Sequence, residues 1–413
     1  MSRQPRGRTI AVVGIALVSL VIPACTAAPS SHHQAAIPRS STAGATSPAK
    51  SSASAVAGSA TTSSSSPPAR RTVTVLGSGD VLIHPPLWEQ AAADAHAKGG
   101  QGYDFGPIYA SVAPDVAAAS LAICELETPL APAAGPFSGW PDFNAPPQVL
   151  TTLKRIGYDS CTTASNHSLD QGYAGVKRTL DEVDAAGLRH TGSARSAAEA
   201  ARPLIFTTAN GVKIAQLAYA FGFNGNLLPS GQPWLANLTD VPTILAAAHR
   251  ARQAGADIVV LSMHWGTEYQ HAPTDQQVQQ AHALLASPDI DLILGAHTHV
   301  VQPMDRINGK WVEYGMGNQI SRHEDPINDN REGVMPEFTF TEVSQGRWKV
   351  TKAAAFPTWM QISPQLRLID LHRSLADPST SSSERATYTA AEGRIKGYLN
   401  QLGAFGKGLT VAN

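Results

Sequence analysis

Residues 291–303 read DLILGAHTHVVQP, and residues 256–269 read ADIVVLSMHWGTEY. In both, a run of Ile, Val and Leu ends in histidine: His297 and His299 in the first, His264 in the second. An unbroken apolar run of this length reads as a strand buried on both faces, as in a parallel sheet. The pattern recurs upstream. TVTVLGSGD (72–80) ends in Asp80 and continues to His84, SLAICELE (120–127) ends in Glu125 and Glu127, and ASNHSLDQG (164–172) carries Asn166, His167 and Asp170. Ligands of open α/β sheets collect at the carboxyl ends of the strands. The five segments therefore place imidazoles, carboxylates and an amide along one edge, which is the donor set of a two-metal hydrolytic site.

In an extended segment residues i and i+2 face the same side, about 6.5–7 Å apart, so His297 and His299 are expected to share one cavity. Imidazole, carboxylate and amide oxygen without thiolate suit Mn, Fe or Zn and argue against copper(I) or an iron–sulfur cluster. Two such divalent ions about 3.5–4 Å apart activate water and clamp the oxygens of an in-line displacement. On chemistry alone either Glu125 or Glu127 can bridge them.

Between the strand-like runs lie helical stretches, VPTILAAAHRARQAG (241–255) and TDQQVQQAHALLA (274–286), the mark of βαβ units. Asn210-Gly211, Asn308-Gly309 and Gln345-Gly346 each separate two strand-like runs, as a tight hairpin requires. Parallel crossovers with appended hairpins predict an α/β protein with two facing mixed sheets flanked by helices, spanning residues 72–370. A helix over about Arg385–Leu402, after the Ser-rich stretch Ser379–Ser383, makes 371–413 a helical extension.

The first residues carry Arg3, Arg6 and Arg8, an apolar run from Ile10 to Ile22, then Pro23-Ala24-Cys25. That order reads as an export signal over residues 1–25. Ile22-Pro23-Ala24-Cys25 resembles a lipobox, with Pro23 unusual there, and the apolar run is short for a membrane span. Lipidation of Cys25 is the reading adopted; an ordinary cleaved signal and a retained anchor stay open. Residues 26–71 are Ser, Thr, Ala and Pro with almost no large apolar side chain, so they form a disordered tether reaching about 35–40 Å. The expected location is the outer face of the cytoplasmic membrane or the cell wall. The other two cysteines, Cys124 and Cys161, read as buried thiols filling a core, although export permits a disulfide. A net charge of −1 over 413 residues gives no electrostatic ground for nucleic-acid binding.

Across residues 73–321 the motifs GDVLIH, LETPL, NHSLDQG, HWGTEY, GAHTHVVQP and YGMGNQI resemble the CapA proteins of poly-γ-glutamate capsule synthesis. Those belong to the calcineurin-like metallophosphoesterase superfamily, so the resemblance implies a four-layer αββα sandwich housing the metals. It implies Asp80 and His299 on one ion, Glu127 between the ions, and Asn166, His264 and His297 on the other, with His167 as proton donor. Through LETPL it selects Glu127 over Glu125 as the bridge. The superfamily's Asp-x-His pattern has Leu82 where histidine is usual, and His84 is the candidate replacement ligand. Glu268 and Tyr269 are expected to shape the cavity or contact substrate, and Arg322 to bind an anionic group by bidentate hydrogen bonds or to sit on the solvated surface. The implied function is hydrolysis of a phosphoester or of an anionic envelope polymer; the alternative is a non-catalytic component that binds or exports polymer beside membrane synthase partners.

Overall fold

The computed structural model describes residues 70–323 and 327–412. The export signal, Cys25 and the tether up to residue 69 lie outside the described residues. In chain order the strands are β1 (Thr72–Val81), β2 (Leu121–Leu126), β3 (Ser160–Thr162), β4 (Arg189–Thr191), β5 (Leu204–Thr207), β6 (Lys213–Ala220), β7 (Ile258–His264) and β8 (Leu292–Ala296). They continue as β9 (Met304–Ile307), β10 (Lys310–Glu313), β11 (Asn318–Ile320), β12 (Glu332–Ser344), β13 (Arg347–Gln361), β14 (Arg367–Asp370) and β15 (Leu409–Val411).

They make two mixed sheets. One has nine strands along the path β14-β13-β12-β1-β2-β3-β4, with β11 joined to β1 and β15 to β13; the other has six, ordered β5-β6-β7-β8-β10-β9. Period-2 alternation divides each strand between two cores. Val73, Val75, Leu121 and Ile123 of the large sheet meet Ile214, Ile258, Val260, Leu292 and Leu294 of the small one. On its other face the large sheet buries Leu76, Ala122 and Leu126 against Leu87, Ile108, Val149 and Leu153 of the helical segments between β1 and β3. The far side of the small sheet buries Leu217, Val259, Leu261 and Ile293 under the helices Val241–Gln253 and Asp275–Ala286. Each Val or Leu so buried contributes about 1.5–3 kcal/mol relative to exposure. The layers are therefore helix, sheet, sheet, helix: the αββα sandwich expected.

Local chemistry sets the helix starts. Asp240 accepts from the Thr243 N–H, and Thr274 with Gln277 forms a capping box, so both helices begin where the loops from the β6 and β7 ends return. Each Asn-Gly or Gln-Gly pair lies at an antiparallel turn: β5–β6, β9–β10 and β12–β13.

Three expectations need correction. The last helix is Ser382–Leu399, starting earlier than expected because Ser381 and Glu384 form a capping box inside the Ser-rich stretch. After it β15 pairs in parallel with β13, and Tyr388, Ala391, Ile395 and Leu399 enter the inter-sheet core, so residues 371–412 are built into the sandwich. Cys124 and Cys161 are not free thiols. They face each other in register on β2 and β3, with Cα atoms 4.4 Å apart, and form a disulfide.

Candidate metal centre

β1, β2, β7 and β8 are parallel neighbours within their sheets, so their C-terminal ends open on one edge. Asp80, Glu127, Asn166, His264, His297 and His299 meet there, each 4% exposed or less. Two groups form, in each of which the ligand atoms all lie within 4.8 Å of one another: Glu127, His264 and His297, and Asp80, Glu127 and His299. Glu127 belongs to both. His264 Nε2 is 2.9 Å from Asn166 Oδ1, which places the Asn166 amide beside the first group.

The histidines of GAHTH do not converge by strand alternation. β8 ends at Ala296, and His297 and His299 have φ of +93° and +56°. Left-handed backbone at a non-glycine residue costs about 1–3 kcal/mol and persists only where surrounding contacts impose it. Here the His297 N–H donates to Asp80 Oδ1 at 3.2 Å, and His299 Nδ1 lies 3.1 Å from Asp80 Oδ2 and 3.0 Å from Asn318 Oδ1. A tight turn therefore aims both rings at the cluster, with ring centroids 6.1 Å apart.

The electrostatics of the cluster call for a cation. Both oxygens of Glu127 and Nδ1 of His297 are buried without a hydrogen-bond partner. Burial pushes the Glu127 carboxyl well above its usual range, and Asp80, Glu268 and Asp170 add to the effect against the opposing His299. Burial also drives His264 down to about 3 and depresses His297 further. His299 is the exception: burial opposes its charge, but Glu127 and Asp80 outweigh that and hold it up to about 10. Buried, unpartnered donor atoms of this kind fit divalent ions, whose charge replaces what burial withholds.

Glu125 is set apart from Glu127. The Thr162 hydroxyl donates to its Oε2, its Oε1 lies 3.3 Å from His264 Nδ1, and burial, Asp80 and Glu127 raise its carboxyl well above the usual range. It stands behind the His264 ring, where it orients a ligand. His84 enters neither ligand group. Its Nδ1 accepts the Arg322 backbone N–H at 3.2 Å, and burial lowers it to about 4.

His167 lines the adjoining cavity. Its Nδ1 is 2.7 Å from Asp170 Oδ2, which also accepts the Phe143 N–H at 2.9 Å, and the Phe143 ring meets it edge-on. The carboxylate keeps the proton on Nδ1 and turns Nε2 outward. We predict that Asp170→Asn leaves bound metal unchanged but lowers metal-dependent turnover about 10- to 100-fold. It should also shift the His167 tautomer in 15N spectra; unchanged turnover and tautomer would remove Asp170 from any role.

The cavity is about 1150 Å³ and is lined by His84, Trp140, Asp142, Phe143, Asn224, Glu268, Tyr269 and Arg322 among others. Tyr269, with φ +61°, donates its N–H to the Thr298 carbonyl and holds its ring 5.8 Å from that of His299. Trp265 is a core residue bonded to the Tyr314 carbonyl. The Arg322 side chain donates to the His323 carbonyl. Sequence reasoning assigned no role to Asn318, which fixes His299, nor to His323 or Asn224. The signal for Asn318 was its place in YGMGNQI, opposite Asp80 in the parallel β1–β11 register.

An αββα sandwich with a buried histidine–carboxylate cluster at the carboxyl edge of its strands defines a protein of the metallophosphoesterase-fold class. Within it, residues 74–323 match the family described as bacterial capsule synthesis protein PGA_cap, and the chain belongs to that family. It is 30% identical over 204 residues to the PGA biosynthesis protein CapA of Bacillus subtilis, covering 49% of this chain and 53% of that protein. It is 27% identical over 191 residues to a probable polyglutamine synthesis accessory protein of Mycobacterium tuberculosis, covering 43% of this chain and 49% of the relative. The match thus spans about half the length of these curated relatives. Among solved structures it is similar to the calcineurin-like phosphoesterase YfkN from Bacillus subtilis, at 15% identity and TM-score 0.43 over 80% of this chain and 98% of that one. It is also similar to a 5'-nucleotidase precursor from Thermus thermophilus, at 12% identity and TM-score 0.44 over 79% and 59%.

Proposed function

We propose that the protein is an exported metal-dependent hydrolase of envelope-polymer assembly, acting on a phosphoester or on an anionic polymer related to poly-γ-glutamate. The observation that carries this reading is the pair of ligand groups sharing Glu127, whose oxygens are buried without partners. Asp80, Glu127 and His299 would hold one divalent ion, and Glu127, Asn166, His264 and His297 the other. Ions of this kind supply Lewis acidity, polarising the scissile group and lowering the pKa of water. The chain's own residues do the rest. Asp170 presents His167 Nε2 to the cavity as donor of a proton to a leaving oxygen or nitrogen, and Glu125 backs the His264 ring. Trp140, Phe143 and Tyr269 wall off the cleft.

One observation favours the non-catalytic alternative, a polymer-binding or export component. Leu82 occupies the position where the superfamily's pattern has a ligating histidine, and His84 is bonded to Arg322 instead. The deciding experiment is metal analysis of the purified protein together with turnover of p-nitrophenyl phosphate and poly-γ-glutamate. About two ions per chain with chelator-sensitive hydrolysis is the expected result. Bound metal without hydrolysis of either class would move the reading to the binding role.

Export and anchoring rest on the arginines, apolar run and lipobox-like segment ending at Cys25. Among the described residues no helix is long and apolar enough to cross a membrane. We predict that the protein fractionates with membranes and that Cys25→Ala releases it or leaves an unprocessed precursor. Equal membrane recovery with unchanged processing would rule out a lipid anchor at Cys25.

A further inference from the structure

His84 and His323 line the cavity beside His299, and neither has a place in the two ligand groups. His84 ends the short segment after β1, at the N-terminal cap of the helix Pro85–Ala97, and His323 follows β11, which pairs with β1 in parallel. That pairing brings the two rings to 4.9 Å between centroids, with the His323 ring 5.3 Å from that of His299. Both rings therefore stand next to the ligand group of Asp80, Glu127 and His299.

Hydrogen bonds behind the rings fix where each carries its proton. A backbone N–H only donates, so His84 Nδ1, 3.2 Å from the Arg322 nitrogen, accepts, and the proton is on Nε2. Asn318 Nδ2 donates to the Asn330 carbonyl at 2.8 Å, which identifies that end of the amide as the nitrogen, and it lies 3.2 Å from His323 Nε2. His323 Nε2 therefore accepts as well, and its proton is on Nδ1. Among the described residues neither His84 Nε2 nor His323 Nδ1 makes a hydrogen bond. Two N–H donors are thus left to the cavity that the rings line, each held from behind. The Phe143 ring, edge-on to both His84 and His167, lies between this pair and the candidate proton donor.

Donors at this place discriminate among the groups a two-metal centre can hold, because such a centre clamps two oxygens of the reacting group. A carboxylate has only those two and an amide carbonyl a single one, so neither keeps an oxygen for further donors. A phosphomonoester has three non-bridging oxygens and keeps one. We infer that His84 and His323 together bind that remaining oxygen, which makes the cavity a site for a phosphomonoester rather than for the amide backbone of a polycarboxylate. The inference rests on the reading of the cluster as a metal-dependent hydrolase and chooses between its two substrate classes. It also gives His84 a role that does not require it to ligate metal. Hydrogen bonds to an ionised oxygen are about twice as strong as neutral ones, so two of them carry a measurable share of the affinity.

The test is calorimetric titration of the metal-loaded full chain with inorganic phosphate, which reads binding without requiring turnover, and with acetate as the carboxylate control. Wild type should bind phosphate. His84→Phe, which keeps a ring against Phe143 and deletes the N–H, should raise the phosphate Kd at least about tenfold, and His323→Phe should do the same. Acetate affinity, bound metal and thermal midpoint, read on the same samples, should stay at wild-type values. His84→Gln, whose amide N–H falls near the place of the Nε2 proton, should recover most of the phosphate affinity, a rescue that a purely structural role would not give. Loss of a metal ion in His84→Phe would make His84 a ligand and overturn the inference. Failure of the wild type to bind phosphate, unchanged phosphate affinity in both Phe variants, or an equal loss for acetate would overturn it too. Phosphate binding with the expected pattern but no hydrolysis of p-nitrophenyl phosphate would count against the enzymatic reading and leave this result standing.

Discussion

Glu127→Gln is expected to leave the protein folded, remove at least one metal ion per chain and lower metal-dependent turnover by about a thousandfold. Glu127 is the one residue common to both ligand groups, and neither of its oxygens has a hydrogen-bond partner. Between two dications a bridging carboxylate sits where their mutual repulsion is greatest, so a neutral amide there loses more than one ligand's worth of attraction. Stability of the metal-free protein should not suffer. Burial already disfavours the ionised form of Glu127, so an isosteric neutral side chain is no worse in that position.

Glu125→Gln provides the contrast. Glu125 lies behind His264, in contact with Thr162 and Nδ1 of the ring, and it belongs to neither ligand group. Its replacement should weaken metal retention modestly and cost about 10- to 100-fold in turnover, the range for groups that orient a ligand. Metal content by mass spectrometry and turnover of both variants settle the ranking. If Glu125→Gln proved the more damaging of the two, Glu127 would not be the bridge.

The parts of the site legible in the sequence were those in which the residue type itself carries chemistry. Asp80, Glu127, His264, His297 and His299 stand at the ends of apolar runs whose burial on both faces already implied a sheet interior. What escaped depended on where the chain returns. Asn318 meets Asp80 only because β11 adds to β1 in parallel, and His323 follows from that same return. Asn224, with φ +48°, approaches His167 from a loop with no periodicity to read. The turn at His297 was misread because an apolar run gives no sign of where its extended backbone stops. Cys124 and Cys161 pair because β2 and β3 align them, and sequence separation carries no register. β15 is too short to show alternation, and its partner β13 lies more than fifty residues upstream.

Gly79→Ala is expected to destabilise the fold by more than about 3 kcal/mol and to lower metal binding with it. A Cβ at Gly79 would lie 1.8 Å from the Gly317 carbonyl oxygen and 2.8 Å from its carbon, both backbone atoms. That carbonyl accepts the Asp80 N–H at 3.1 Å, so the approach of the two glycines is what seats Asp80 between β1 and β11. No rotamer change relieves such a contact; β1 or the Gly317 turn must move, and Asp80 moves with it. Gly77→Ala, two residues away on the same strand, is the control. Its Cβ would meet Leu294 Cδ1 at 2.9 Å and Met316 Sδ at 3.1 Å, the ends of flexible side chains that can yield for about 1 kcal/mol. Urea denaturation of the two variants, with bound metal measured in the native state, separates backbone exclusion from ordinary core crowding. Equal midpoints and equal metal content would show that the Gly79–Gly317 approach does not govern the position of Asp80.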